Sequence, residues 1–275
     1  MQSHQNSPIG VFDSGFGGLT VLKELQKELP YEELIYFGDT ARLPYGTKSR
    51  ETIIRCTAQS CSFLADQGVK LIVIACNTAT SMALDAVRSQ FSIPILGVID
   101  PVIETVAKTS PKGRIGILGT RATIVSNVYQ TKIEHYLPHA QITSIASQLL
   151  VSLVEEGFID HPMTHLAIQE YIRPLLLAEV DTVILACTHF PLLKELIIKA
   201  LGPDIHVIDP AFSTALSVRK TLSDLNILSE ERNSSEPSYF VTDDPEKFQR
   251  LGPEFLGRTI SHVKLSEQSY LLDQF

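Results

Sequence analysis

The sequence predicts an α/β protein built as two pseudo-symmetric, doubly wound lobes, with mainly parallel sheets and a ligand site in the cleft between them. Three observations carry that prediction. Short apolar strands alternate with amphipathic helices, one half of the chain resembles the other, and the composition is that of a soluble globular protein. The chain has 275 residues, 44% hydrophobic and 20% charged, which suits two domains better than one.

Strands are read where a short apolar run is bounded by turn residues, and helices where apolar residues recur on one face. The first strand is Ile9–Phe12, followed by a helix over about Gly17–Leu29 and a strand at Leu34–Phe37. A long helix over Ser49–Gln67 leads to a buried-type strand at Leu71–Ala75, a helix over Thr78–Phe91 and a strand at Ile95–Ile99. The second half opens with a strand at Ile115–Leu118 and a helix over Ala122–His135. Strands at Ile142–Ile145, Val183–Ala186 and Ile205–Ile208 follow, separated by helices near Ser147–Glu156, Met163–Ala178 and Leu192–Leu201. Ser223–Ser238, rich in Ser, Asn, Asp and Glu, reads as an exposed loop.

The internal repeat rests on four anchors. Ile9-Gly-Val-Phe matches Ile115-Gly-Ile-Leu at an offset of 106, and Ile35 matches Ile142 at 107. The run Val73-Ile-Ala-Cys76 matches Ile184-Leu-Ala-Cys187 at 111, and Val98-Ile-Asp-Pro matches Val207-Ile-Asp-Pro at 109. Four anchors at nearly one offset suggest two lobes of the same design. Each carries a cysteine just after its third strand. Ligands of open α/β sheets bind beyond the carboxyl ends of the strands, so facing lobes would hold a ligand between Cys76 and Cys187.

Charge and cysteine usage exclude several classes. The net charge is −8 and the Lys and Arg residues form no cluster, so neither a nucleic acid nor an anionic membrane is an expected partner. Met1–Pro8 is polar and no later run is long enough to span a bilayer, which gives a cytoplasmic expectation. The four cysteines, Cys56, Cys61, Cys76 and Cys187, include no CxxC pair, so neither a disulfide framework nor structural zinc is expected. Cys56 and Cys61 lie on the amphipathic helix and read as core.

Asn77 and Thr78 follow Cys76 at a helix start, and Thr188 and His189 follow Cys187 ahead of Pro191. Free amides and the positive end of a helix dipole favour anions there, and the same field raises the thiolate fraction of a thiol. The competing reading makes both cysteines small buried hydrophobes at strand ends. Asp13 stands in the glycine-rich turn Asp13-Ser-Gly-Phe-Gly-Gly18, where the backbone can approach a ligand closely. A dinucleotide fingerprint is its rival. That fingerprint needs glycine where Thr20 stands, although Asp39 at the end of the second strand would suit a ribose.

Four ordered blocks resemble a known family. They are Gly10-Val-Phe-Asp-Ser-Gly-Phe-Gly-Gly-Leu-Thr-Val-Leu, Gly38-Asp-Thr-Ala-Arg-Leu-Pro-Tyr-Gly-Thr-Lys-Ser, Ala75-Cys-Asn-Thr-Ala-Thr and Ala186-Cys-Thr-His-Phe-Pro-Leu-Leu. The resemblance is to the glutamate racemases of the cofactor-independent aspartate/glutamate racemase superfamily, and it runs from about Ile9 to Asp209. Together with the repeat it implies one lobe of residues 1–99 with 210–275 and another of 100–209. The chain differs from the usual pattern at Ala186, Phe190 and Pro210.

That resemblance implies interconversion of L- and D-glutamate by two-base proton transfer at the α-carbon, without metal, pyridoxal or other cofactor. Cys76 and Cys187 would be the two bases, with Asp13 assisting the first thiol and His189 the second, and Glu155 a further acid. Substrate holding would fall to Asp13, Ser14, Tyr45, Gly46, Asn77, Thr78, Thr120, Thr188 and His189. For Tyr45 the alternative is a turn aromatic that packs its loop, and for Glu155 a solvated helix end. The implied product is D-glutamate for peptidoglycan precursor synthesis, and a homodimer is the implied assembly. Two rival functions stay open: a racemase of aspartate or another amino acid, and a binding or regulatory protein without turnover.

Overall fold

The computed structural model describes residues 5–230 and 235–266. Met1–His4 of the polar start, 231–234 of the expected loop and 267–275 of the expected first lobe lie outside the described residues. Two parallel sheets organise the chain. The first has six strands in the order β10-β9-β2-β1-β3-β4 and the second four in the order β6-β5-β7-β8. The four strands of the second sheet therefore repeat the order of β2-β1-β3-β4.

In the first sheet, β1 (Ile9–Asp13), β2 (Leu34–Gly38), β3 (Leu71–Ile74) and β4 (Ile95–Gly97) alternate with α1 (Leu19–Glu28), α2 (Arg50–Asp66) and α3 (Asn77–Arg88). Every residue of β1, β2 and β3 is buried, as strands covered by helices on both faces require. The second sheet holds β5 (Arg114–Gly119), β6 (Gln141–Ala146), β7 (Thr182–Ala186) and β8 (His206–Ile208). Its helices are α5 (Arg121–Val125), α6 (Val128–Tyr136), α7 (Gln148–Glu155), α8 (Pro162–Leu177) and α9 (Lys194–Leu201). Among the described residues, no helix is long and apolar enough to cross a membrane.

Strand register tests the repeat. Val73 pairs with Val11 and Ile184 with Ile117, so the first and third anchors agree in three dimensions. Ile142 pairs with Ile115 as Leu34 pairs with Ile9, so Leu34 rather than Ile35 is its counterpart. The fourth anchor fails, because Val207 lies inside β8 whereas Val98 stands beyond the end of β4.

Several elements differ from the expected ones. The strand expected to run to Ile99 stops at Gly97, and α4 (Ile99–Thr109) begins there, with Pro101 in its first turn. The helix expected over Ala122–His135 is broken into α5 and α6 by Asn127, whose φ of 55° lies in the left-handed region that Asn tolerates. After β8 the chain returns through α10 (Pro210–Asp224), capped by Asp209 through the Ala211 amide at 2.9 Å. This helix packs against α1 and against α4, so the two helices at the crossings touch each other. Then come β9 (Ser238–Val241), α11 (Pro245–Leu256) and β10 (Val263–Leu265), which extend the first sheet beyond β2.

The expected exposed loop is shorter and partly buried. Ser223 ends in α10, Ser238 opens β9, and Ser229 donates its amide to the Glu32 carboxylate at 2.8 Å. Glu32 is itself paired with Lys70 at 2.6 Å, and Lys70 donates to the Ile227 carbonyl at 2.8 Å. A buried charge pair needs such additional partners to offset its desolvation.

Candidate active site

Cys187 follows β7 directly and Cys76 follows β3 after Ala75, at the carboxyl ends of corresponding strands in the two sheets. Both line one chamber of ≈ 20 Å³, room for about one water molecule. Cys76 caps α3, its sulfur accepting from the Ala79 amide at 3.4 Å and donating to Ser14 Oγ at 3.5 Å. Burial pushes this thiol up to about 12, and the charge of Asp13 adds to the effect.

The second thiol has a different environment. His189 Nδ1 lies 3.8 Å from Cys187 Sγ, and its Nε2 lies 3.0 Å from Glu155 Oε1. Burial works against the charged imidazole, yet hydrogen bonds and charge from Cys187 and Glu155 outweigh it and raise His189 to about 10. Glu155, at the end of α7, faces this relay rather than solvent, with its side chain 14% exposed.

Asp13 is fully buried at the end of β1. Its carboxylate accepts from the Gly15 amide at 2.9 Å and from Thr188 Oγ1 at 3.3 Å, so it bridges toward the second thiol's turn. It reaches Cys76 as a neighbouring charge. Burial raises its own pKa, opposed by the charge of His189 and by the amides of Gly15 and Gly18. The close packing depends on glycine: a Cβ on Gly17 would collide with Thr188 Oγ1 and lie 2.7 Å from His189 Nδ1.

The remaining expected residues reach the chamber, with different partners. Asn77 and Thr78 open α3, and Asn77 Oδ1 accepts from the Tyr129 hydroxyl at 2.6 Å. Thr78 Oγ1 meets Thr120 Oγ1 across the cleft at 2.8 Å, and Thr120 caps α5. Thr188 lines the same wall as Cys187. Tyr45 and Gly46 form another wall, but the Tyr45 ring packs on Phe12 and its hydroxyl bonds Asp39. The loop-packing alternative thus describes the Tyr45 side chain.

The ribose alternative for Asp39 has no support. Its carboxylate is buried and takes Arg42 Nε at 2.7 Å, Thr242 Oγ1 at 3.0 Å and the Tyr45 hydroxyl. Cys56 and Cys61 are buried on α2, and burial pushes Cys61 up to about 12. A larger cavity of ≈ 550 Å³ lies on the other side of Gly46, between α3 and α5, and none of its lining residues is cysteine or histidine.

A model of the Asp/Glu/hydantoin racemase family matches residues 9–217. The chain belongs to that family. It is a racemase, an isomerase. It is 46% identical over 257 residues to the glutamate racemase of Syntrophus aciditrophicus, covering 94% of this chain and 95% of that one. A crystal structure of a glutamate racemase isoform from Bacillus anthracis superimposes with a TM-score of 0.92 at 36% identity, covering 96% of this chain and 98% of that one. The Francisella tularensis glutamate racemase, solved in complex with D-glutamate, superimposes with a TM-score of 0.90 at 39% identity, covering 97% and 99%.

Sequence reasoning missed several residues of this racemase's chamber. Leu43, Pro44, Gln148 and Val151 line it, and Tyr129 holds Asn77 from behind. Leu43 and Pro44 directly precede Tyr45 in the second block. Gln148, Val151 and Tyr129 sit in no motif with a chemical signature, and only the packing of α6 and α7 against the cleft brings them in.

Proposed function

We propose that this racemase interconverts L- and D-glutamate by a cofactor-independent transfer of the α-proton between Cys76 and Cys187. The observation that carries the reading is the presence of both thiols in one chamber, at the ends of corresponding strands of two similarly ordered sheets. Glutamate is the substrate named for the relatives that cover nearly the whole chain.

Racemisation removes a proton from one face of the α-carbon and delivers another to the opposite face. With L-glutamate, Cys187 acts as thiolate beside the imidazolium of His189. The α C–H bond breaks, its proton goes to Cys187 Sγ, and its electron pair stays on carbon. Cys76, held protonated by burial, then gives its proton to the other face and becomes the thiolate. With D-glutamate the roles reverse. That direction needs a Cys76 thiolate, and a substrate ammonium beside Asp13 would neutralise the charge that disfavours it.

The two carboxylates would be held by the α3 amides with Asn77 and Thr78, by Thr120 and Thr188, and by the Tyr45–Gly46 turn, with Ser14 supplying a further donor. Carbanion character would be stabilised by these preorganised donors in a dry chamber. A chamber of ≈ 20 Å³ is too small for glutamate, so the lobes 1–99 with 210–275 and 100–209 would part to admit it and close for reaction. The expected role is cytoplasmic supply of D-glutamate to peptidoglycan precursors, and sedimentation tests the homodimer expected for it.

The test incubates the purified protein with L-glutamate in D2O, with chelator and without pyridoxal phosphate, beside Cys76→Ala and Cys187→Ala. Racemisation with α-deuterium uptake in the wild type and its loss in both variants supports the mechanism. A folded wild type that binds glutamate without exchange sinks it, and faster exchange of aspartate than of glutamate redirects the substrate.

A further inference from the structure

One lining side chain of the chamber is used neither by the thiol chemistry nor by the hydrogen bonds around it. Gln148 is the first residue of α7, just beyond β6 of the second sheet. Its carboxamide reaches the wall of the first sheet's side, where Oε1 stands so close to Gly46 that a Cβ there would collide with it. That oxygen is buried and has no hydrogen-bond partner. An unpaired buried carboxamide oxygen costs stability, and in the wall of a ligand chamber a bound ligand can offset that cost by completing the group.

The charges around the chamber narrow what that ligand group is. Asp13 and Glu155 are the acids, and Glu155 already holds His189, so a substrate ammonium is drawn to Asp13. The α-carboxylate is drawn to the opening amides of α3. The substrate's side-chain carboxylate then needs a donor on the Gly46 wall. A carboxamide turns over about its terminal bond without changing shape and so presents N–H where its oxygen now lies. It also donates without adding a charge to a chamber that must stabilise a thiolate.

We propose that Gln148 is a specificity-determining residue that donates to the side-chain carboxylate of the substrate at the Tyr45–Gly46 turn. The proposal rests on the glutamate reading of the site. It makes the enzyme selective for a dicarboxylic amino acid through a contact supplied by the lobe opposite that turn.

Gln148→Met keeps length and removes hydrogen bonding, whereas Gln148→Glu keeps shape and adds negative charge. The Kd for glutamate is measured by calorimetry, and kcat and KM for both enantiomers by polarimetry, with melting curves as the control for folding. Gln148→Met is expected to raise Kd and KM about tenfold or more, the worth of a hydrogen bond to a charged group, while kcat changes less than about threefold. Gln148→Glu is expected to raise them further at pH 8, and to return toward the wild-type values as pH falls and the new carboxyl, once protonated, donates in place of the amide. A Kd within about twofold of wild type in folded Gln148→Met overturns the proposal. So does Gln148→Glu binding glutamate no more weakly than Gln148→Met at pH 8. Because Kd is read apart from turnover, a wild type that binds but does not racemise refutes the two-thiol reading alone.

Discussion

Glu155→Gln tests the relay behind the second thiol most directly. The carboxylate sits 3.0 Å from His189 Nε2 and is one of the two groups that raise the imidazole to about 10. Gln keeps the shape and an accepting oxygen but removes the charge. A hydrogen bond to a charged group is worth about 1.5–3 kcal/mol, so kcat/KM is expected to fall roughly 10- to 150-fold. Enantiomers have equal free energies in water, so the fall must be the same in both directions, and asymmetry shows only in kcat and KM taken separately. His189 moves back toward its ordinary value, and the alkaline limb of kcat/KM shifts to lower pH. The assay is initial rates from both enantiomers between pH 6 and 10.5. An alkaline limb that stays in place, with kcat/KM within about twofold of wild type, would refute the claim that Glu155 holds His189 charged.

Other perturbations have equally definite outcomes. Gly17→Ala forces a Cβ onto Thr188 Oγ1 and to 2.7 Å from His189 Nδ1; a melting-curve loss of about 1–3 kcal/mol and a roughly hundredfold drop in kcat/KM are expected. Tyr129→Phe removes the 2.6 Å bond to Asn77 Oδ1; stability should fall by about 1 kcal/mol and KM should rise several-fold, since Asn77 loses its orientation. The raised pKa of His189 makes stability pH-dependent: its contribution is fully present below about 6.5 and is lost as pH rises through about 10. Melting temperatures should therefore decline between pH 6.5 and 8 in the wild type and stay flatter in His189→Asn, a window below the ordinary range of thiols and tyrosines.

The sequence by itself determined much of the fold and of the site. Runs such as Leu71–Ile74 and Val183–Ala186 are continuously apolar because both faces of a central parallel strand are covered. Chemistry that sits at strand ends is local, so Asp13, Cys76 and Cys187 could be placed from the residues that precede them. The repeat was legible for the same reason, although register shows that Val98 and Val207 matched by composition alone. Asn127 shows the limit of periodicity: an apolar pattern continues through α5 and α6, while a single left-handed residue turns the chain.

Tertiary structure decided what each side chain touches. The Tyr45 hydroxyl bonds Asp39 beneath the loop, Glu155 holds His189 from another helix, and Gln148 crosses to Gly46 from 102 positions away in the chain. Such contacts join elements whose separation in sequence says nothing of their separation in space. Burial and neighbouring charges, which set the titration of Cys76 and His189, arise only when the two sheets close on one chamber. The residue types therefore pointed to the proposed chemistry, and the packing around the two sheets assigned partners to them.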